Sequence, residues 1–329
     1  MITFLTTAKN RYTIHGYKKI WGASLAHVLR SISYEQLFQM RSIPGGVYVF
    51  ADIDRLSTEN RKKAGDWYQL IKEAGGTVLN DPLRFVGRLE LLQALHQSGF
   101  NQFSAYGLGE HDLARFPLFL RYRDGHDGNE SDLIHEPATL ELEIAKLKAK
   151  KNGRQLIAVE FLDYKEQDEH FYKYSHFRVG ERLIFGGMVC GSTWCRKLAD
   201  NLASATVDRE IRASSEIKYD KPLMHCFETA QIDFGRIDYA IVDGEVQVFE
   251  INSNPDIGIS CPLGMERWKI RSRCYQQINE AFWELFRASN RESSIETPGS
   301  FDAASFVQEL VTWPRLCAKA MRKARQPGG

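Results

Sequence analysis

The chain of 329 residues has only six cysteines. Two of them, Cys190 and Cys195, lie near one another, and no CxxC pair or matching histidine pair accompanies them. Neither a thiolate zinc cage nor a disulfide framework organises such a chain, and the thiols fit a reducing compartment. Charge of one sign is also missing. Forty-three Lys and Arg stand against 42 Asp and Glu, a net charge of +1, so no overall field draws the chain onto nucleic acid or an anionic membrane. An anionic ligand must therefore be held by a local cluster. No stretch approaches the ~20 apolar residues of a membrane-spanning helix, and the opening MITFLTTAKN lacks the basic-then-apolar order of a secretory signal. These absences lead to the expectation of a cytoplasmic protein with no membrane or nucleic-acid partner.

What is present suits a globular protein. Hydrophobic residues make up 43% and aromatics 12%, enough for a full core, and the length suits two or three modules of ~100–200 residues. Residues 2–6 form a β-prone run, and residues 20–40 carry Leu25, Val28, Leu29, Ile32 and Leu37 at helical intervals. A strand and then a helix are predicted. VYVFADID reads as a buried strand, Ser57 as the N-cap of a helix through residue 72 stopped by Gly75-Gly76, TVLND as a third strand, and residues 83–98 as another helix. Alternation of this kind predicts a small parallel α/β domain over residues 1–112.

FPLFLRYR then reads as a strand, DGHDGNESD as a tight loop, residues 137–151 as a helix with Pro137 in its first turn, and LIAVEFLD as a strand. FYKYSHFRVGERLIFGGMVC gives two strands about a glycine turn, residues 200–222 carry weak signals, and residues 223–232 are helical. GRIDYAIVDGEVQVFEINSNP is a β-hairpin with an Asp243-Gly244 turn. A long amphipathic helix over 267–288 and a basic helical tail from residue 290 follow.

The hairpin is where chemistry collects. Asp238 stands on its first strand, and Glu250 and Asn252, two apart, share one face of its second. Two carboxylates and an amide oxygen suit a hard cation such as Mg²⁺, which completes its shell with water and phosphate oxygens. A two-residue turn pairs 238 with 249 and sends Glu250 to the opposite face. The expected loop is therefore three residues long, with Gly244 left-handed, which brings the three oxygens to one side. Arg236 points to the same face, where a cation stabilises charge developing on a transferred phosphoryl group. A plain buried hairpin with an internal Arg-Asp pair is the competing interpretation.

DFGRIDY, the twelve-residue step from Asp238 to Glu250, and EINSNP resemble the metal-binding hairpin of the ATP-grasp superfamily. FPLFLR with DGHDG resembles that family's lid strand and phosphate-covering glycine loop, AVEFLD its adenine strand, and LNDPLRFVGRLELLQAL the junction into the lid. The resemblance spans residues 78–258 in the family's order. It implies an α+β ATP-grasp core with an antiparallel-sheet catalytic region over 163–292, a lid subdomain over 113–162, the small parallel domain before them and a C-terminal tail over 293–329. It implies ATP and Mg²⁺ as cofactors, Asp238, Glu250 and Asn252 as metal ligands, and Arg236 as the catalytic cation. Arg88 and Arg121 fall where many members carry phosphate-binding lysines; Arg keeps the charge and changes the geometry. Gly125, His126 and Gly128 of the loop, Glu160 of the adenine strand, and Lys173 and Lys197 complete the nucleotide contacts. A plain surface turn competes for the loop, and a solvated strand position competes for Lys173. Unperturbed histidines titrate near neutrality, which makes His126 and His176 acid–base candidates, yet nothing in the sequence sets either opposite a substrate.

The activity so implied is an ADP-forming carboxylate–amine ligase working through an acyl phosphate. Its partners are a small-molecule or peptide carboxylate and an amine acceptor. No protein nucleophile is required, and no Ser-His-Asp or Cys-His pattern suggests one. The alternatives are a kinase of the same fold, or a nucleotide-binding protein without turnover.

Overall fold

A computed structural model describes residues 1–125, 128–150, 153–194, 204–257 and 265–289. The described residues build three sheets, mixing one parallel domain with two antiparallel layers. Ile2–Thr6 (β1), Leu29–Ser33 (β2), Val47–Phe50 (β3) and Thr77–Leu79 (β4) form the first, all parallel, in the order β2-β1-β3-β4. Every residue of β1 and β3 is buried, as expected of parallel strands covered on both faces. Tyr12–Lys19 (α1) covers one face, and Tyr34–Phe38 (α2) and Thr58–Glu73 (α3) cover the other. The Ser57 hydroxyl accepts the Asn60 N–H at 3.2 Å, capping α3 as predicted.

The predicted helix over 20–40 is absent. α1 stops where Gly22 lies against the Tyr17 ring, a Cβ there falling 2.6 Å from it. A short 3₁₀ turn, β2 and α2 then share the interval. Its apolar side chains came at helical spacing because each of these pieces buries its own: Leu25 in the turn, Leu29 in β2, Leu37 in α2.

Arg88–Gln97 (α4) leads into a three-stranded antiparallel sheet of Ala105–Gly107 (β5), Leu118–Tyr122 (β6) and Leu156–Glu160 (β7), ordered β5-β7-β6. Pro137–Ala149 (α5) has Pro137 in its first turn and lays Leu140, Ile144 and Leu147 on one face of this sheet. Leu92 of α4 packs on the other. The central sheet is antiparallel, ordered β11-β10-β8-β9, from Phe171–Val179 (β8), Arg182–Gly191 (β9), Phe234–Val242 (β10) and Glu245–Asn252 (β11). Ser204–Ala213 (α6) and Asp220–Ala230 (α7) precede the hairpin, and Met265–Ser289 (α8) closes the described chain. The 25-residue α8 buries Phe282 and Phe286 between the central and parallel sheets, with the Phe4 and Phe282 rings 5.5 Å apart. The helical tail expected from residue 290 lies outside the described residues.

Asn80 stitches the parallel domain to the central sheet. Its amide donates to the Phe50 and Phe234 carbonyls at 3.0 and 2.8 Å and accepts from the Asp233 and Phe234 N–H groups at 2.7 and 2.9 Å.

The β10–β11 turn corrects the predicted loop. Val242 pairs with Glu245, so Asp243 and Gly244 make a two-residue turn, with φ of 52° and 83°, the left-handed pair that a type I′ turn requires. The extra residue sits farther along. Tyr239 pairs with Val248 but Asp238 pairs with Glu250, so Phe249 is a β-bulge. The bulge does what a longer loop was expected to do, turning Glu250 to the face of Asp238.

Candidate functional site

Asp238 and Glu250 are direct register partners, and Arg236 is the partner of Asn252, so all four project from one face of the hairpin. Side chains opposite one another on adjacent strands have Cβ atoms ~4.5–5.5 Å apart, a spacing at which carboxylate oxygens can share a cation. Asn252 Oδ1 accepts the Asn254 N–H at 2.8 Å, which orients the amide. The donor set of two carboxylates and one amide oxygen fits Mg²⁺, a cation that takes oxygen ligands.

Cations surround these acids. Arg236 Nε donates to Asp238 Oδ1 at 2.9 Å, and the Asp238 charge, outweighing burial, raises the Arg236 pKa. Lys173, on the neighbouring β8, brings Nζ within 3.8 Å of Asp238 Oδ2. Arg88, the first residue of α4, and Arg121, on β6, both reach Glu250 Oε2, the latter at 3.0 Å. Arg88 also holds the carbonyls of Tyr122, Arg123 and Gly125, the last at 2.7 Å, and Arg121 donates to the Gly125 carbonyl at 3.1 Å. Three separate parts of the chain are thus tied at one carboxylate: the helix, the three-stranded sheet and the hairpin. Burial first, and then the Arg88 charge, push the Arg121 guanidinium down to about 10. Its buried Nε has no hydrogen-bond partner among the described residues.

Within this group four cationic side chains, Arg88, Arg121, Lys173 and Arg236, face two carboxylates, Asp238 and Glu250. The surplus of positive charge and the unsatisfied Arg121 donor suit a polyanion bridging the two sheets. Gly125 is within this assembly, and a Cβ on it would lie 2.9 Å from an Arg154 nitrogen. Gly128 holds φ of 115°, a region L side chains rarely adopt. His126 and Lys197 lie outside the described residues.

Glu160 ends β7 with its carboxylate already committed. Its Oε2 accepts the Ser104 N–H at 3.0 Å and Arg115 Nη2 at 2.7 Å, and its Oε1 accepts the Arg115 N–H at 2.9 Å. Burial pushes its pKa up, but these hydrogen bonds prevail and hold it below the ordinary carboxylate value. Its backbone N–H is committed as well, donating to the Ser104 carbonyl at 3.0 Å. His176 is on the other face of the central sheet, against Tyr239 and Phe185, and burial drives its pKa down to about 3. It is a neutral packing residue, apart from the hairpin acids.

Sequence reasoning missed the parallel domain's share. Just past Asn252, Ser253 Oγ lies 3.3 Å from Asp54 Oδ1, and Asn254 Oδ1 accepts from Thr13 Oγ1 at 2.9 Å. Thr13 and Asp54 follow the carboxyl ends of β1 and β3, where the order β2-β1-β3-β4 reverses direction. Crevices open at such a switch point in open α/β sheets, and the strand order, which sequence does not display, is the signal that locates it.

No family model and no curated protein matches this chain. Among solved structures it is similar to the VanG D-Ala:D-Ser ligase from Enterococcus faecalis, at 12% identity over 87% of this chain and 98% of that one, with a TM-score of 0.51. The D-alanine–D-alanine ligase from Bacillus anthracis, crystallised with ATP, aligns over 89% of this chain and 99% of its own at 11% identity and a TM-score of 0.49. The likeness is one of architecture, and the chain has the ATP-grasp fold.

Proposed function

We propose that this protein is an ATP-dependent, ADP-forming ligase that joins a carboxylate to an amine through an acyl phosphate. The observation that carries this is the convergence of Asp238, Glu250 and Asn252 on one hairpin face with four cations drawn from the hairpin, β8, β6 and α4. The ligase named among the similar structures is consistent with it.

In this reaction the substrate carboxylate attacks the γ phosphorus of ATP. The bond to the β,γ-bridging oxygen breaks and ADP departs. The amine then adds to the acyl phosphate, and collapse of the tetrahedral adduct expels phosphate, leaving the amide. Asp238, Glu250 and Asn252 would hold Mg²⁺, which when bound neutralises phosphate oxygens and aligns them for in-line transfer. Arg88 and Arg121 hold the triphosphate and are placed beforehand by the Gly125 carbonyl. Arg236, kept fully charged by Asp238, stabilises the charge that builds on the transferred group and then on the tetrahedral oxygen. Catalysis consists of positioning and charge neutralisation, and no side chain of the protein forms a covalent bond.

The test is to supply ATP, Mg²⁺ and pooled small carboxylates with hydroxylamine as the amine. A ligase forms a hydroxamate together with ADP and phosphate. A stable phosphorylated product without hydroxamate or amine dependence would show a kinase instead.

A further inference from the structure

Asp238 of β10 pairs with Ser175 of β8, and Ser175 pairs with Gly187 of β9, so a row of three positions crosses the central sheet from the metal-ligand face to the far edge. A second bulge lies at that edge: His176 pairs with Phe185, leaving Gly186 as the extra residue. Side chains have no room here. A Cβ on Gly186 would lie 2.7 Å from Ser175 Oγ, and one on Gly187, whose φ of 127° already disfavours an L side chain, would lie 1.6 Å from Arg271 Nη1. The bare backbone seats the Arg271 guanidinium, which descends from α8 onto the sheet.

Arg271 is fastened from behind by Glu210 of α6, at 3.5 Å. Glu210 is fully buried and also takes Arg267 Nε at 3.0 Å and the Met188 N–H at 3.1 Å. One carboxylate thus serves two guanidinium groups, and Arg267 has the closer contact. Arg271 makes no hydrogen bond among the described residues, and its side chain is 17% exposed. It is an anchored fork with donors to spare, two strand spacings or roughly 9–10 Å from Asp238.

Such a fork takes a planar oxyanion in bidentate fashion. Three sources of oxyanion are at hand: the nucleotide, the donor carboxylate, which must meet the γ phosphorus at the metal trio two strand spacings away, and the acceptor. The phosphate-directed arginines, Arg88 and Arg121, gather at Glu250 on β11, the opposite edge of the order β11-β10-β8-β9. We propose that Arg271 receives the carboxylate of the amine-bearing substrate, so that the acceptor is an amino acid or a peptide with a free carboxylate, and its amine points back along the row toward Arg236. This rests on the ligase reading and adds the acceptor's chemical class to it.

Calorimetric titration of the full chain with D- and L-amino acids and their carboxamides, with Mg²⁺ and ADP saturating, tests it without requiring turnover. At least one acid should bind the parent protein ~10–100-fold more tightly than its carboxamide, the usual scale for a charge-assisted hydrogen bond. Arg271→Gln should abolish that preference, Arg271→Lys should restore part of it, and ATP affinity should change by less than about threefold. Should Arg271→Gln fail to fold, Arg271→Lys and Gly187→Ala, whose Cβ displaces the guanidinium, carry the comparison. Equal binding of acid and carboxamide, no binding of any acid, or a tenfold loss of ATP affinity in the variant would overturn the assignment. A hydroxamate formed alongside any of these outcomes leaves the ligase reading standing, with an acceptor of another class.

Discussion

Replacing Glu250 by glutamine keeps the side chain's shape and removes the single negative charge that two buried guanidinium groups share. Arg88 is 8% exposed and the Arg121 side chain 11%, so neither can turn to water for compensation. Breaking a buried ion pair by removing one partner costs about 3–5 kcal/mol. Two features reduce that here: the glutamine carbonyl still accepts one hydrogen bond, and Gly125 O still accepts from both arginines. A loss of about 2–4 kcal/mol is therefore expected in the nucleotide-free protein, a fall in Tm of about 3–6 °C for a chain of this size. A role confined to metal binding, as the family resemblance implies, would leave folding untouched. Melting curves with and without ligands separate the contributions. ATP without metal supplies negative charge to the orphaned arginines and should raise the variant's Tm more than the parent's. Added Mg²⁺ should then stabilise only the parent, and ADP formation by the variant should collapse. A variant melting within about 1 °C of the parent, or one whose ADP formation keeps its Mg²⁺ dependence, would refute the account of Glu250 given above.

Arg236→Met should lower amide formation by ~100-fold or more, the scale for losing one electrostatic stabiliser of a transition state, while the Kd for ATP moves little. Single-turnover assays beside equilibrium titration check this, and equal losses in both would reduce Arg236 to a binding residue. Asn80→Ala removes four side-chain hydrogen bonds, three of them joining the parallel domain to Asp233 and Phe234 at the start of β10 and one to Phe50 within the parallel domain. It should cost about 3–5 kcal/mol in denaturant unfolding, and an unchanged midpoint would show that the stitch contributes nothing. Glu160 has a folded-state pKa below its ordinary 4.5, so its contribution is present above about pH 4.5 and fades as pH falls through the folded value. The stability gap between the parent and Glu160→Gln should accordingly be constant near neutrality and close in acid, as pH-dependent melts will reveal.

Several elements were legible because their signals are local. Ser57 capping α3, Pro137 opening α5 and the Asp243-Gly244 turn each act within a few residues of themselves. The hairpin trio was legible for a similar reason, since period-two alternation sets the relative face of Glu250 and Asn252. The interval 20–40 misled because a 3₁₀ turn, a strand and a short helix, each burying its own residue, reproduce a helical spacing by coincidence. The turn length misled because a bulge leaves no mark in composition: Phe249 reads as any strand residue. Contacts across long separations were not legible at all. Arg88 meets Glu250 from 162 positions away, and Arg271 lies on Gly187 only because α8 returns across the sheet.

Phe249 also bears on how the hairpin tolerates changes in length. Because Val248 already pairs with Tyr239, deleting Phe249 alone would bring Glu250 directly opposite Asp238 in an unbroken ladder, and the oxygen trio would keep its face. The placement of the trio is thus indifferent to this residue. The Phe249 ring is not idle, however: it lies 5.8 Å from Phe103 and 5.0 Å from Tyr164, on the side of the three-stranded sheet. The inserted residue therefore works as a mechanical coupling between the hairpin and the three-stranded sheet, and a hairpin one residue shorter would present the same oxygens on a looser mount.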